Sequence, residues 1–118
     1  MILLRLVLVS YLVVLGGYTA AVSSNHGWDL LSVFFGDMAA MAWPGQFNLD
    51  FMGYLMLSAL WTAWRHHFSP AGLGLAIVAF FGGMMILAIY LLVLSFQTQS
   101  GVAEILLGKK RAASRVRA

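Results

Sequence analysis

The sequence predicts an all-α integral membrane protein with three transmembrane helices and one interfacial amphipathic helix. Hydrophobic residues make up 62% of the 118 residues and charged residues only 9%, whereas a soluble domain carries about 25% charged residues. The apolar residues form runs that reach the length of about 18 residues typical of a spanning helix. Because the chain is too short for a second ordinary domain, residues 1–118 are predicted to form a single membrane domain.

The charges and the missing cysteines exclude several kinds of site. There is no cysteine, so a disulfide, a thiolate metal site or a cysteine nucleophile is excluded. Five of the seven basic residues fall in a C-terminal tail, residues 109–118, and are predicted to set the topology and to contact anionic lipid headgroups. These five are Lys109, Lys110, Arg111, Arg115 and Arg117. Nucleic-acid binding is not expected, because no aromatic or hydrogen-bonding side chains interleave these charges.

The first predicted span covers residues 2–22. At about 1.5 Å per residue it is long enough to cross a hydrocarbon core of about 30 Å. The small residues Ala20, Ala21 and Ser23 imitate a signal-peptide cleavage site, but the apolar run is longer than a signal core and Arg5 is its only basic residue. A retained helix is therefore favoured over a cleaved one.

The segment 28–43 is the hardest to place. Its sixteen residues would form a helix of about 24 Å, and Asp29 and Asp37 would be costly inside a bilayer. Trp28 and Trp43 suit the headgroup region. The pattern favours an interfacial helix, with a fourth transmembrane helix as the alternative. Pro44-Gly45 is expected to end it.

Two more spans are predicted, at about 49–67 and 71–96. Asn48 is the expected N-cap of the first, and aromatic and basic residues crowd its far end. Ser69-Pro70 predicts the start of the second, with a capping hydroxyl followed by proline at a position where no N–H is needed. With three spans, the basic tail places the C-terminus in the cytoplasm and the N-terminus outside.

Asp50 is the candidate functional acid, because an ionisable residue within a span is a functional hypothesis by default. If Asn48 is the cap, Asp50 falls in the first helical turn, where the helix dipole stabilises an anion. Proton or cation handling and contact with a polar group on another chain are the alternatives.

The histidines raise the possibility of a haem or metal site. His66 and His67 are adjacent and therefore point about 100° apart on a helix, so they cannot easily hold one ion. His26 and Asp29 could join them only if both loops lay on one side of the membrane, which four spans allow and three do not. The favoured interpretation is that these histidines lie at the membrane interface, so no cofactor and no metal is predicted.

A stripe of small residues runs along the last predicted span. Its members recur at spacings of four, three and four: Gly72, Ala76, Ala79 and Gly83. Such stripes allow helix backbones to approach closely in a membrane, so this one predicts a helix-packing face. The Gly82-Gly83 pair also permits a bend.

Three short segments with polar residues stand out in the sequence: His26-Gly27-Trp28-Asp29-Leu30 through Phe34-Phe35, then Phe47-Asn48-Leu49-Asp50, and Leu57-Ser58-Ala59-Leu60. With these segments the chain resembles a bacterial family of small uncharacterised membrane proteins with three helices. The resemblance covers about residues 1–96. It implies three spans and no assigned activity.

No nucleotide-binding, hydrolase or metalloprotease motif occurs, so an enzyme is not expected. The leading hypothesis is an accessory or interaction subunit of a larger membrane complex, or a homo-oligomer, in the bacterial inner membrane. Its expected partners are the lipid bilayer and other membrane helices. A small transporter or proton-handling oligomer using Asp50 is the first alternative, and a haem- or metal-binding redox component using His26, His66 and His67 is the second.

Overall fold

The computed structural model describes residues 1–98 and 101–117, and these are helical with short connections. The helices are α1 (Ile2–His26), α2 (Leu30–Ala39), α3 (Trp43–Arg65), α4 (Pro70–Gln97), α5 (Val102–Leu107) and α6 (Lys109–Arg117). No strand occurs among the described residues. The predicted all-α class is therefore confirmed.

Two of the helices in the described part of the chain, α1 and α4, are long and apolar enough to cross a membrane. α1 extends one turn beyond the predicted 2–22 and stops at Gly27, whose φ of 77° lies in the left-handed region. α3 has 23 residues but is less apolar, because its first half contains Gln46, Asn48 and Asp50.

The boundary between the second and third helices differs from the prediction. The helix predicted over 28–43 ends at Ala39, and Pro44-Gly45 does not terminate it. Instead α3 begins at Trp43 and holds Pro44 in its first turn, where proline's missing N–H costs nothing. Ala42 is therefore the N-cap of α3, and the prediction that Asn48 caps this helix was wrong.

α2 packs against the start of α3 through a close backbone approach at Gly45 and a hydrogen bond from Asn48. A Cβ at Gly45 would collide with the carbonyl oxygen of Asp37, so only glycine permits this backbone approach. The side-chain amide of Asn48 donates to the carbonyl oxygen of Phe34 at 3.1 Å. α2 thus runs back along the first turns of α3.

The start of α4 matches the prediction. Ser69 is the N-cap, its hydroxyl accepts a hydrogen bond from the Gly72 N–H at 3.1 Å, and Pro70 follows in the first turn. The turn before it holds His67 and Phe68 at φ values of 58° and 55°. The Phe68 N–H donates to the carbonyl oxygen of Ala63, which closes the end of α3.

α4 is not one straight helix. Gly83 has φ 60° and ψ −144°, outside any helical region, and divides α4 into α4a (residues 70–82) and α4b (residues 84–97). The predicted continuous span 71–96 is therefore interrupted at Gly83.

The two halves fold back toward each other. His66 contacts both, because a Cβ at Gly72 would lie 2.6 Å from the His66 Cβ and the Tyr90 hydroxyl lies 2.5 Å from the His66 Nε2. In a straight helix, residues 72 and 90 would be separated by about 27 Å. Leu75 and Ala79 of α4a also line the same apolar cavity, of about 220 Å³, as Tyr90 of α4b.

The C-terminal region is helical as well. The basic tail forms α6, which begins at Lys109 after a break at Gly108. The side chains of Arg115 and Arg117, predicted to contact lipid, lie outside the described part of the structure.

We expect Gly83→Ala to destabilise the protein by about 1–3 kcal/mol, because the backbone angles at this position suit glycine almost exclusively. The new Cβ would also lie 3.3 Å from the Phe51 ring. Gly74→Ala is the matched control, since Gly74 lies within α4a and has open space around it. Thermal unfolding in detergent micelles, followed by circular dichroism, measures both variants. Equal midpoints would show that Gly83 does not set the bend.

Candidate functional site

The densest set of polar contacts surrounds Arg65, the last residue of α3. Its Nε donates to the carbonyl oxygen of Ile105 at 2.6 Å, and a terminal nitrogen donates to that of Glu104 at 3.3 Å. A six-residue helix such as α5 leaves most of its carbonyl groups unpaired. Arg65 pairs with one of them, at Ile105. It also adds a second donor to the Glu104 carbonyl oxygen, which already accepts from the Gly108 N–H, and so holds α5 against the end of α3.

Tyr90 links the same arginine to His66. The other terminal nitrogen of Arg65 donates to the Tyr90 hydroxyl at 3.2 Å. Because a guanidinium only donates, the hydroxyl accepts from Arg65 and is free to give its own proton to the Nε2 of His66. This arrangement requires a neutral His66. Partial burial, followed by the charges of Arg65 and His67, lowers the pKa of His66 below its ordinary value of 6.5.

Two tryptophans extend the contact surface around Arg65. The Trp61 indole N–H donates to the carbonyl oxygen of Leu106 at 2.9 Å, and its ring meets that of Tyr90 edge to face at 5.8 Å. The guanidinium of Arg111 lies 3.8 Å from the centre of the Trp64 ring and donates to the Trp64 carbonyl oxygen at 2.5 Å. These contacts fix α5 and α6 to the end of α3.

Arg5 makes an equivalent connection between α1 and α4b. Its guanidinium donates to the Ser95 hydroxyl at 3.1 Å and to the Ser95 carbonyl oxygen at 2.7 Å. It also lies 4.2 Å from the centre of the Phe96 ring. Ser95 is fully buried. α4a and α4b form a hairpin, and its open end is the end opposite Gly83. We call Arg5, Arg65 and Arg111 the arginine collar, because each packs on an aromatic ring at this open end.

The predicted functional acid, Asp50, lies elsewhere. It is exposed, two turns inside α3 rather than in the first turn, because α3 begins at Trp43. The predicted role of Asp50 at the helix N-terminus was therefore wrong. No hydrogen bond or ion pair to its carboxylate occurs within the described residues.

The small-residue stripe lies partly against α3. A Cβ at Gly72 would meet the Ala63 carbonyl oxygen, and a Cβ at Gly83 would meet Phe51 and Leu55. Ala79 is buried and Ala76 half-buried. The break at Gly83 means that the four residues do not share one continuous helical face.

The remaining candidates do not assemble into a site. The residues described contain no group of three histidine or acidic side chains that could hold a metal ion. Lys109 and Lys110 are exposed on α6. His66 is engaged with Tyr90, whereas His67 and His26 are exposed.

The sequence prediction found one half of the arginine-centred cluster. Arg65 and its neighbours were expected to be interfacial anchors, but their partner Tyr90 was missed, as was Ser95, the partner of Arg5. A usable signal was present, since these two are the polar side chains in the apolar run 84–96. The other partners of Arg65 are backbone carbonyl groups of α5, and the residue types in a sequence do not indicate such partners.

Comparison with known proteins gives no further guide: no family model, no curated protein and no solved structure matches this chain. The resemblance to a family of small three-helix membrane proteins stays a prediction.

Arg65→Gln is expected to release α5, because it removes a cation that bonds two α5 carbonyl groups and Tyr90. We expect amide hydrogen exchange across residues 102–108 to accelerate by at least about tenfold, which corresponds to about 1.4 kcal/mol. His67→Gln, an exposed neighbour, is the control. Unchanged protection in the Arg65 variant would mean that α5 is held by other contacts.

Proposed function

We propose that this chain is a non-enzymatic membrane protein that acts as an interaction subunit of a larger membrane complex. Its surface supports this proposal. In α1, Leu8 lies on the one face that is covered, while a broad apolar face that includes Leu3, Val13 and Tyr18 is exposed. Large exposed apolar surfaces are typical of proteins that meet lipid or other proteins.

The observation that carries the proposal is an exposed stripe on α3 with a carboxylate in it. Phe47, Asp50, Tyr54 and Leu57 recur at spacings of three and four and are all exposed. Asp50 lies seven residues beyond Trp43, about 10 Å along the helix. A carboxylate at that depth is costly unless another group pairs with it, so the stripe favours a contact with a second helix.

Charge favours a different protein over a second copy as that partner. The described lysines and arginines of this chain lie away from Asp50, in α1, at the end of α3 and in α6. A parallel copy of α3 would bring two Asp50 carboxylates together, which is unfavourable. We therefore propose a transmembrane helix that presents a hydrogen-bond donor or a cation opposite Asp50.

The second candidate is a proton-handling oligomer, which the same titratable carboxylate on an apolar face favours. The two hypotheses differ in what they need at this position. A contact needs a hydrogen-bond acceptor, which asparagine retains, whereas a relay needs a group that titrates.

The basic C-terminal region supports a location in a bacterial inner membrane with the C-terminus in the cytoplasm. Lysine and arginine near a span favour the cytoplasmic side. Lys109, Lys110 and Arg111 follow α5 directly, and Arg115 and Arg117 follow in sequence.

We expect Asp50→Leu to abolish the complex and Asp50→Asn only to weaken it, because asparagine retains a hydrogen-bond acceptor. Native electrophoresis of the full chain, expressed at its natural level and extracted in mild detergent, measures the size of the assembly. Asp29→Asn is the matched control, since it removes the same charge from an exposed residue outside the stripe.

Three outcomes would contradict the proposal. An assembly of unchanged size in the Asp50→Leu variant would show that the stripe is not the contact surface. An assembly that contains only copies of this chain would indicate a homo-oligomer. An Asp50→Asn variant that assembles fully but behaves like a deletion would favour proton or cation handling.

A further inference from the structure

We infer that α4 is a re-entrant hairpin that enters and leaves the bilayer on one face, so that the arginine collar, α5 and α6 all meet a single anionic leaflet. The inference rests on the proposed membrane location. It differs from the predicted three-span arrangement in the path of α4 and in the side on which the N-terminus lies.

The lengths of the two halves support a re-entrant path. α4a and α4b contain 13 and 14 residues, about 20 Å each, whereas a hydrocarbon core measures about 30 Å. The tip of the hairpin, Gly83, lies against Phe51 and Leu55 of α3. These residues are ten to fourteen positions from Arg65, so the tip reaches about 15–21 Å along α3.

The tip is half-buried and packs against α3, which is the kind of cover that a broken helix needs in a membrane. Non-helical backbone is tolerated at membrane depth where it is buried in protein. A Cβ at Gly83 would lie 3.3 Å from the Phe51 ring and 3.7 Å from Leu55, so this side of the tip is covered by α3.

α3 has the features of the helix that crosses beside this hairpin. Trp43 and Trp64, at its two ends, are 21 residues apart, about 31 Å along the axis, which matches the hydrocarbon thickness. Both are exposed, as tryptophans in the headgroup region are. The amide of Asn48 is already bonded to Phe34, which reduces the cost of placing it in the membrane.

The distribution of charge indicates the same topology. With a straight α4, Arg5 and Arg65 would lie on the opposite face from the C-terminal tail. In the folded-back arrangement, Arg5 bonds Ser95 near the end of α4b, and Arg65 bonds α5. Arg111 packs on Trp64 beside them. The basic residues then share one face, as the positive-inside rule requires of a cytoplasmic face.

The chemistry of this face identifies the lipid that it meets. The three collar arginines are engaged by internal partners, but Lys109 and Lys110 are exposed on α6 next to them. Exposed lysines beside a membrane attract anionic headgroups. The cytoplasmic leaflet is therefore the expected partner, and both termini lie on that side.

Cysteine accessibility tests the topology, and the chain has no native cysteine to interfere. Single-cysteine variants at Ile2, Asn25, His67 and Ala113 are treated with a membrane-impermeant maleimide in intact cells and after permeabilisation. We expect labelling at residue 25 in intact cells and at residues 2, 67 and 113 only after permeabilisation.

The alternatives give different patterns. Labelling of residues 2 and 67 in intact cells, with residue 113 protected, would overturn the inference in favour of three spans. A chain that alkaline carbonate extracts from membranes would instead overturn the proposed membrane location, so the two failures are distinguishable.

Fluorescence quenching tests the lipid partner. The full chain carrying Trp28→Phe and Trp43→Phe, which leaves the tryptophans at the collar end, is placed in phosphatidylcholine vesicles with a fixed fraction of brominated lipid. We expect brominated phosphatidylglycerol to quench more strongly than brominated phosphatidylcholine, and Lys109→Gln with Lys110→Gln to remove the difference. Equal quenching by the two lipids in the chain that retains both lysines would overturn the assignment of an anionic leaflet.

Discussion

The backbone reversal at Gly83 is the constraint on which the other contacts depend. With φ 60° and ψ −144°, this residue turns the longest apolar helix of the chain back along itself. Tyr90 thereby returns to the end of α3, where Arg65 and His66 bond its hydroxyl. Gly72 lies against His66 at the end of α3. In a straight helix Tyr90 would be about 27 Å from Gly72, so it could not reach Arg65 and the cluster could not form.

The polar contacts at the open end supply hydrogen-bond donors to the short helix α5. A short helix such as α5 needs partners for its carbonyl groups, and Arg65 and Trp61 supply donors to three consecutive ones. Each collar arginine also lies over an aromatic ring, an arrangement that stabilises a partly desolvated cation. One end of the protein therefore carries the connected polar network, and Asp50 lies outside it.

Local signals in the sequence predicted the helical class and the start of α4, because Ser69-Pro70 specifies a cap and a first turn. They misplaced the start of α3, because Pro44-Gly45 suits either a helix end or a helix start. The real break, at residues 40–42, consists of alanine and methionine and carries no breaker. The Gly82-Gly83 pair permitted a bend, but its direction depends on Tyr90 and Ser95 meeting residues 25 and 90 positions away. Periodicity within one helix cannot show such contacts.

The distance between the two ends of α4 shows directly whether this helix folds back in the membrane. Spin labels at Leu73→Cys and Gln97→Cys, in the full chain reconstituted into lipid nanodiscs, would lie about 36 Å apart along a straight helix. The folded-back helix predicts a main distance below about 20 Å. The two labelled residues then lie side by side on the two halves, at heights that differ by about one helical turn. A main distance near the straight-helix value, measured by pulsed electron resonance, would show that α4 does not fold back in the membrane.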